Sequence, residues 1–186
     1  VKLTTAELLK NYFFNRDDIE KYNEYWKEVF EKDEETKNYW DREIIAGRLR
    51  RTFIDLFFFA YLQIKIQETD FKVKAEDKDA YAKVEHLFES YKNFIKSYLS
   101  NNKEAILSEI KEYALLFKKN FNYEILGEEL TQDFGIDRIN TIIFGLDTTT
   151  LIPYTLYILR NISDEITKNE LFSIIETYIM RRMITH

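Results

Sequence analysis

The chain has 186 residues, a formal net charge of −6 and no cysteine. The lack of cysteine excludes disulfides, thiolate zinc ligands and a cysteine nucleophile from this sequence, and the negative charge excludes a surface that attracts phosphate as a whole. Four glycines and one proline are too few for the many tight turns of a sheet protein, so helices joined by polar loops are predicted.

The N-terminal region predicts two helices. Thr4 and Glu7 have the spacing of a capping box, which starts the first helix. Polar residues at 15–18 give the next start signal, and the apolar residues after them recur at steps of three and four. A second helix is therefore predicted over residues 19–30, with these residues on its apolar face: Ile19, Tyr22, Tyr25, Trp26, Val29 and Phe30.

The longest apolar region predicts one central helix over residues 39–66, with Phe57 at the centre of the core. Its most hydrophobic part, residues 53–66, is shorter than the roughly 20 apolar residues that a membrane span requires. It also contains Asp55 and Lys65. A buried helix is therefore predicted here, and no membrane segment.

The middle of the chain predicts a pair of helices joined by a short turn. Residues 77–99 have apolar side chains at a strict 3-4-3-4-3 spacing, which is typical of a helix that packs along an antiparallel neighbour. Asn101 or Asn102 is predicted to cap the next helix, so the two helices would form an αα-hairpin. The first of them has this apolar face: Tyr81, Val84, Phe88, Tyr91, Ile95 and Tyr98.

The C-terminal region predicts three helices after an irregular segment at 122–135. A short helix is expected at 136–146, and Pro153 fits the first turn of a helix that starts near Thr149 or Thr150 and ends at about Asn161. Thr167 and Glu170 have capping-box spacing, which predicts the start of the last helix. We expect these residues to point inward from it: Leu171, Ile174, Ile175, Tyr178, Ile179 and Met183.

Together these elements predict an all-α fold, an irregular bundle of about seven or eight helices around one long central helix. Residues 1–186 are expected to form a single, monomeric or weakly dimeric helical domain. Because the sequence begins with Val1 and stops after a strongly helical pattern, we expect it to be excised from a longer multidomain chain.

Few residues are candidates for catalysis or metal binding. His86 lies beside Glu85 and Glu89, and a Glu–His pair on a helix can bind a metal when a second helix supplies its counterpart. No second histidine motif is present, and His186 is the chain end. The favoured interpretation is a surface or half-buried histidine, so we assign no catalytic residue, no metal ligand and no cofactor, and we expect no enzymatic activity from this chain.

Two arginine clusters are candidates for phosphate or interdomain contacts. Arg48, Arg50 and Arg51 form the densest basic cluster and would suit a phosphate-binding patch, although charged residues also keep the end of a phenylalanine-rich helix soluble. Arg181 and Arg182 fall in the last turn of the final helix, where cations oppose the negative end of the helix dipole. For both clusters the structural interpretation is the default.

Three segments are informative by comparison with known proteins: residues 3–14, 149–159 and 174–184. In this order they resemble the helical middle region of GmrSD-type, modification-dependent restriction proteins. The opening LTTAELLKNYFF at residues 3–14 is similar to the stretch that follows their N-terminal catalytic domain. The closing IIETYIMRRMI at 174–184 is similar to the helix, ending in tyrosine and paired arginines, that leads into their C-terminal domain. The segment TTLIPYTLYIL at 149–159 resembles the proline-containing helix before it.

This resemblance implies a connector rather than an enzyme. Proteins of this type join a nucleotide-hydrolysing ParB/sulfiredoxin-like domain, with an Asp-Gly-Gln-Gln-Arg type motif, to a His-Asn-His nuclease that cleaves modified DNA. Neither motif occurs here, so no catalytic residue transfers. The implied partners are the flanking domains, and DNA through the parent protein, in a cytoplasmic phage-defence system. The alternative is a free-standing helical module that binds nucleic acid or a protein through the Arg48–Arg51 region.

Overall fold

The structure is a computed structural model that describes residues 2–185, and it is helical for 72% of its length. Val1 and His186 lie outside the described residues. One compact unit comprises residues 2–44 and 51–115, and a second comprises residues 45–50 and 116–185. The predicted all-α class is confirmed, but the helices are shorter and more numerous than predicted and a small two-stranded sheet is present.

The elements in chain order are α1 (Thr5–Phe13), α2 (Ile19–Tyr22), α3 (Glu28–Phe30), α4 (Glu34–Trp40), β1 (Glu43–Ala46), β2 (Leu49–Thr52), α5 (Phe53–Ile66), α6 (Ala75–Tyr81), α7 (Leu87–Tyr98), α8 (Leu107–Asn120), α9 (Ile136–Gly145), α10 (Ile152–Asn161) and α11 (Glu165–Ile184). A π-helical turn, Asn23–Lys27, connects α2 to α3. Short 3₁₀ turns precede α7, α8 and α10.

The start of the chain folds as predicted. The Glu7 amide donates to the Thr4 hydroxyl at 3.2 Å, and the Thr4 amide donates to the Glu7 carboxylate at 2.7 Å, which is the predicted capping box. The predicted helix at 19–30 forms as one helical stretch whose middle is the π-helical turn. Ile19 of its predicted apolar face is wrong, because its side chain is 64% exposed.

The predicted central helix at 39–66 is wrong in its first half. A β-hairpin, β1–β2, separates α4 from α5, and Gly47 makes its turn in the left-handed region at φ +66°. Thr52 then starts α5, because its hydroxyl accepts a hydrogen bond from the Asp55 amide at 3.3 Å. A glycine turn and a new helix cap therefore interrupt the apolar periodicity.

Aromatic side chains fill the core of the first unit. Phe57 is fully buried, as predicted, and its ring centroid lies 5.6 Å from that of Trp40. Trp26 stacks on Phe58 with centroids 5.6 Å apart and ring planes 16° apart. These aromatic contacts place α5 at the centre of the unit.

The predicted helix at 77–99 is broken. It forms α6, a 3₁₀ turn at Val84–His86 and α7. The turn after α7 has Ser100 and Asn101 in the left-handed region, and the Asn101 amide donates to the Ile95 carbonyl at 3.0 Å. Asn102 occupies the next N-cap position but its side chain caps nothing, so the predicted asparagine cap is wrong.

The second unit contains the short helices that were predicted near its middle, α9 and α10, with Pro153 in the first turn of α10. A buried asparagine, Asn140, connects α9 to the end of α8. Its amide group donates to the carbonyl oxygens of Asn120, at 2.6 Å, and Ile136, at 3.0 Å, and its oxygen accepts from the Asn122 amide at 3.1 Å. These bonds give both polar atoms of the Asn140 side chain a partner, so the side chain is buried without an unpaired polar group.

Across residues 2–185, the structure contains no helix with the length and apolar composition needed to cross a membrane.

Candidate functional site

The last helix, α11, begins earlier than predicted. Asp164 is its N-cap and accepts hydrogen bonds from the Thr167 amide at 2.8 Å and from the Thr167 hydroxyl at 2.6 Å. The predicted capping box of Thr167 with Glu170 is therefore wrong. The side-chain bond from Thr167 is the main cause that lowers the pKa of Asp164, since hydrogen bonds favour the charged carboxylate.

The inward side of α11 also differs from the prediction. Ile179 is buried as expected and Phe172 is also buried, whereas Leu171 and Ile175 are half-buried. Ile174 is 64% exposed, Tyr178 52% and Met183 54%. The predicted face is wrong for these three because the helix turns its other side toward α9 and α10.

Six residues share the outward side of α11, and all of them are exposed. Their spacing along the helix is 3-4-3-4-3, which keeps them close to one line at about 3.6 residues per turn. We call this set the outer seam: Thr167, Glu170, Ile174, Thr177, Arg181 and Ile184.

The predicted arginine pair lies at the end of this surface. Arg182 donates to the Tyr178 hydroxyl at 3.1 Å, and its guanidinium lies 5.7 Å from the centre of the Tyr178 ring. Stacking of a guanidinium on an aromatic ring restrains both side chains. Arg181 is exposed on the outer seam and does not take part in this contact.

The hairpin arginines have different environments. Arg48 and Arg50 are exposed in the second unit, on the turn and on β2. Arg51, in the first unit, is only 8% exposed, and its guanidinium lies 5.0 Å from the centre of the Phe59 ring. Adjacent strand residues point to opposite sides, so the three arginines do not share one exposed face of β2.

Burial has the largest effect on the pKa of Arg51. It lowers the pKa of Arg51, while the nearby carboxylates of Asp55 and Glu85 act in the opposite direction. Burial also raises the pKa of Asp55, although the Thr52 hydroxyl and Arg51 oppose the shift. Arg51 is thus a part of the packed first unit rather than a surface contact for phosphate.

An aspartate that sequence reasoning missed holds the hairpin turn. Both carboxylate oxygens of Asp147 accept from the Gly47 amide, at 3.1 and 2.9 Å. The two residues are far apart in sequence, so no local spacing signals the contact. This bond fixes the turn that carries Arg48.

His86 is exposed and lines a shallow groove of about 560 Å³ in the first unit. Lys83, Lys96, Glu89 and Tyr81 line the same groove. Glu89 pairs with Lys92 at 3.6 Å, one turn along α7. Among residues 2–185, no group of three or more histidine, aspartate or glutamate side chains is arranged to hold a metal ion.

Comparison with protein-family models, with curated proteins and with solved structures finds no match to this chain. The surface of α11, with its outer seam and the Tyr178–Arg182 pair, is the candidate site that the geometry defines.

Proposed function

We propose that this chain is the non-catalytic helical connector of a GmrSD-like, modification-dependent DNA restriction protein of phage defence in the cytoplasm. In this role it joins an N-terminal nucleotide-hydrolysing domain to a C-terminal nuclease domain. Its partners are these flanking domains, and it meets DNA only through the parent protein. It uses no cofactor and carries out no reaction of its own.

The three segments that resemble this protein type all belong to defined helices. Residues 3–14 comprise α1 with its capping box, residues 149–159 comprise most of α10 with the turn before it, and residues 174–184 form the second half of α11. The three segments coincide with helices of the structure, and this agreement supports the resemblance. The resemblance does not depend on any catalytic residue.

The Tyr178–Arg182 contact carries the proposal. A cation in an exposed last turn adds only about 0.3–1 kcal/mol to its own helix, so folding of this unit alone gives little reason for two arginines there. A guanidinium already held against a ring is restrained before it meets a partner, which lowers the entropic cost of a contact with a neighbouring domain. Arg182 is therefore the residue that we propose for the interdomain contact, with Arg181 beside it.

The reading frame around this sequence tests the proposal first. We expect coding sequence for a nucleotide-binding domain before it and for a His-Asn-His nuclease after it; a frame without either would contradict the connector role. In the intact protein, Arg182→Ala should leave folding unchanged and weaken the dependence of DNA cleavage on nucleotide. Arg16→Ala, at an exposed arginine in the first unit, is the matched control.

The alternative, a free-standing module that binds nucleic acid or a protein through the hairpin, is favoured by the exposure of Arg48 and Arg50. The burial of Arg51 and the net charge of −6 weigh against it. If the hairpin binds duplex DNA, the affinity should fall steeply with salt and fall further in Arg50→Glu. Tight binding that does not respond to salt would contradict this charge argument.

A further inference from the structure

The outer seam of α11 carries one acidic and one basic residue that have no partner in the rest of the described chain. Glu170 and Arg181 are both exposed, and neither side chain forms a hydrogen bond or an ion pair with residues 2–185. They are eleven positions apart in sequence, so they lie about 16 Å apart along the helix and within about 20° of the same direction. Two unpaired opposite charges therefore mark the two ends of one helix face.

The six residues of the outer seam have the spacing of a helix-pairing surface. The 3-4-3-4-3 pattern of the outer seam is that of a heptad repeat, in which a second helix packs along the first. Ile174, at its centre, is 64% exposed, and Ile184, at its end, is 85% exposed. Because α9 and α10 pack against the other side of α11, this seam remains open to a partner.

The seam is complementary to itself when the second helix runs in the opposite direction. If Ile174 of one copy faces Thr177 of the other, Glu170 faces Arg181 and Thr167 faces Ile184. A two-fold axis repeats each of these contacts, so two ion pairs flank a centre formed by Ile174 and Thr177 of both copies. In a parallel pair with the same residues facing each other, Glu170 would lie against Glu170 and Arg181 against Arg181, which is unfavourable.

We infer that α11 pairs with α11 of a second copy of this chain, antiparallel, through the outer seam. One pair of helices buries less than the roughly 800 Å² per partner of a standard interface, and four of the six seam residues are polar. The dimer is therefore weak and reversible. It does not depend on the proposed connector function, and Arg182 stays with Tyr178 outside the seam.

Charge reversal with rescue tests the pairing. Sedimentation of the wild-type chain over about 10 μM to 1 mM should show a monomer–dimer equilibrium. Glu170→Arg sets arginine against Arg181 of the other copy, and Arg181→Glu sets glutamate against Glu170, so each should weaken the dimer by about tenfold. The double variant restores opposite charges and should recover the wild-type constant.

A matched control separates the seam from net charge. Glu129 is exposed in the irregular segment before α9, away from the outer seam. Glu129→Arg changes the net charge as Glu170→Arg does, and it should leave the association constant unchanged. Because Glu170 and Arg181 are exposed, all variants should melt as the wild type does, and far-UV circular dichroism checks this.

Cysteine crosslinking tests the direction of the helices, because the chain has no cysteine of its own. When Glu170→Cys protein is mixed with Arg181→Cys protein, a mixed dimer retains one Glu170–Arg181 pair and brings the two cysteines opposite each other. Oxidation should crosslink the mixture strongly and each variant alone only weakly, since a disulfide requires Cα atoms about 4.4–6.8 Å apart.

Three results would overturn the inference. A chain that stays monomeric up to about 1 mM excludes the second copy as the occupant and leaves the seam to a different partner. A dimer that does not respond to either charge reversal uses another surface. Strong crosslinking of each single variant with itself shows a parallel pair.

Discussion

Arg138 on α9 and Glu176 on α11 form a bidentate ion pair, with Nε 2.8 Å from Oε2 and Nη2 2.7 Å from Oε1. The third nitrogen of Arg138 donates to the carbonyl oxygen of Thr131 at 2.7 Å. Hydrogen bonding to Glu176 is the main cause that raises the pKa of Arg138. One side chain thus joins the irregular segment before α9 to the last helix.

Replacing Arg138 should destabilise the protein more than removal of an exposed arginine. Arg138→Ala removes charge-assisted hydrogen bonds. It also leaves the Glu176 carboxylate, which is largely shielded from solvent, without its cation, so we expect a loss of about 1.5–3 kcal/mol in the free energy of unfolding. Urea denaturation measures it, and Arg16→Ala is the control. Equal, small losses in both variants would mean that the pair adds nothing to stability.

Phe57→Ala should be among the most damaging single changes in the first unit. Its ring is fully buried between Phe30, Trp40 and Phe58, so truncation creates a cavity and should cost about 3–5 kcal/mol. Leu115→Ala, at a half-exposed leucine of α8, should cost under about 0.5 kcal/mol. A loss under about 1 kcal/mol for Phe57→Ala would contradict the central position of α5.

Stability at acid pH should depend on Glu31. Burial alone would raise the pKa of its carboxyl group, but bonds from Tyr22, Lys10 and Trp26 outweigh burial and lower the pKa. A lowered folded pKa stabilises the fold above the unfolded value of about 4.3, and this stability is lost as the pH falls through the folded pKa.

Melting temperatures between about pH 3 and pH 7 measure this dependence. Glu31→Gln should be less stable than the wild type near neutral pH, and the difference should shrink as the pH falls. Glu129→Gln is the control, because Glu129 is an exposed glutamate of the irregular segment before α9. A difference that is constant across the pH range would show that Glu31 acts through shape rather than charge.

The helix cap of α11 distinguishes the observed start from the one that the sequence predicted. Asp164→Ala removes the cap acceptor and should lower the melting temperature. Glu170→Ala should lower it much less, because Glu170 is on the outer seam and caps nothing. The predicted capping box would require the opposite order, so thermal melts of the two variants decide between them.

Short-range sequence patterns predicted the fold well where a helix has a single apolar face that packs against the core. The capping box of Thr4 and Glu7, the burial of Phe57 and the proline in α10 depend on residues a few positions apart, and all three were predictable. The hairpin was not, because its residues continue the apolar periodicity on both sides. Gly47 and the spacing of Thr52 to Asp55 were the two signals that could have located it.

The candidate site was less predictable than the fold. The arginine pair was found from sequence, but the face of α11 was assigned wrongly, since apolar residues such as Ile174 and Tyr178 were taken to be inward. Apolar periodicity cannot distinguish a packed side from an exposed one when both sides carry isoleucine. The contacts of Asp147 with Gly47 and of Arg138 with Glu176 join distant positions, which a single sequence cannot reveal.

The arginine pair should contribute little to the stability of this chain and more to the intact protein. In the chain alone, Arg181→Ala with Arg182→Ala removes a dipole contribution of about 0.3–1 kcal/mol and one exposed contact with Tyr178, so melting should barely change. The melts are run at low concentration, where α11 does not pair.

In the intact parent protein that we propose, charge-assisted bonds to a neighbouring domain are worth roughly 1.5–3 kcal/mol each. The same double variant should therefore uncouple nucleotide turnover from DNA cleavage. Unimpaired, nucleotide-responsive cleavage would exclude the coupling role, and a large loss of stability in the chain alone would assign both arginines to its own fold.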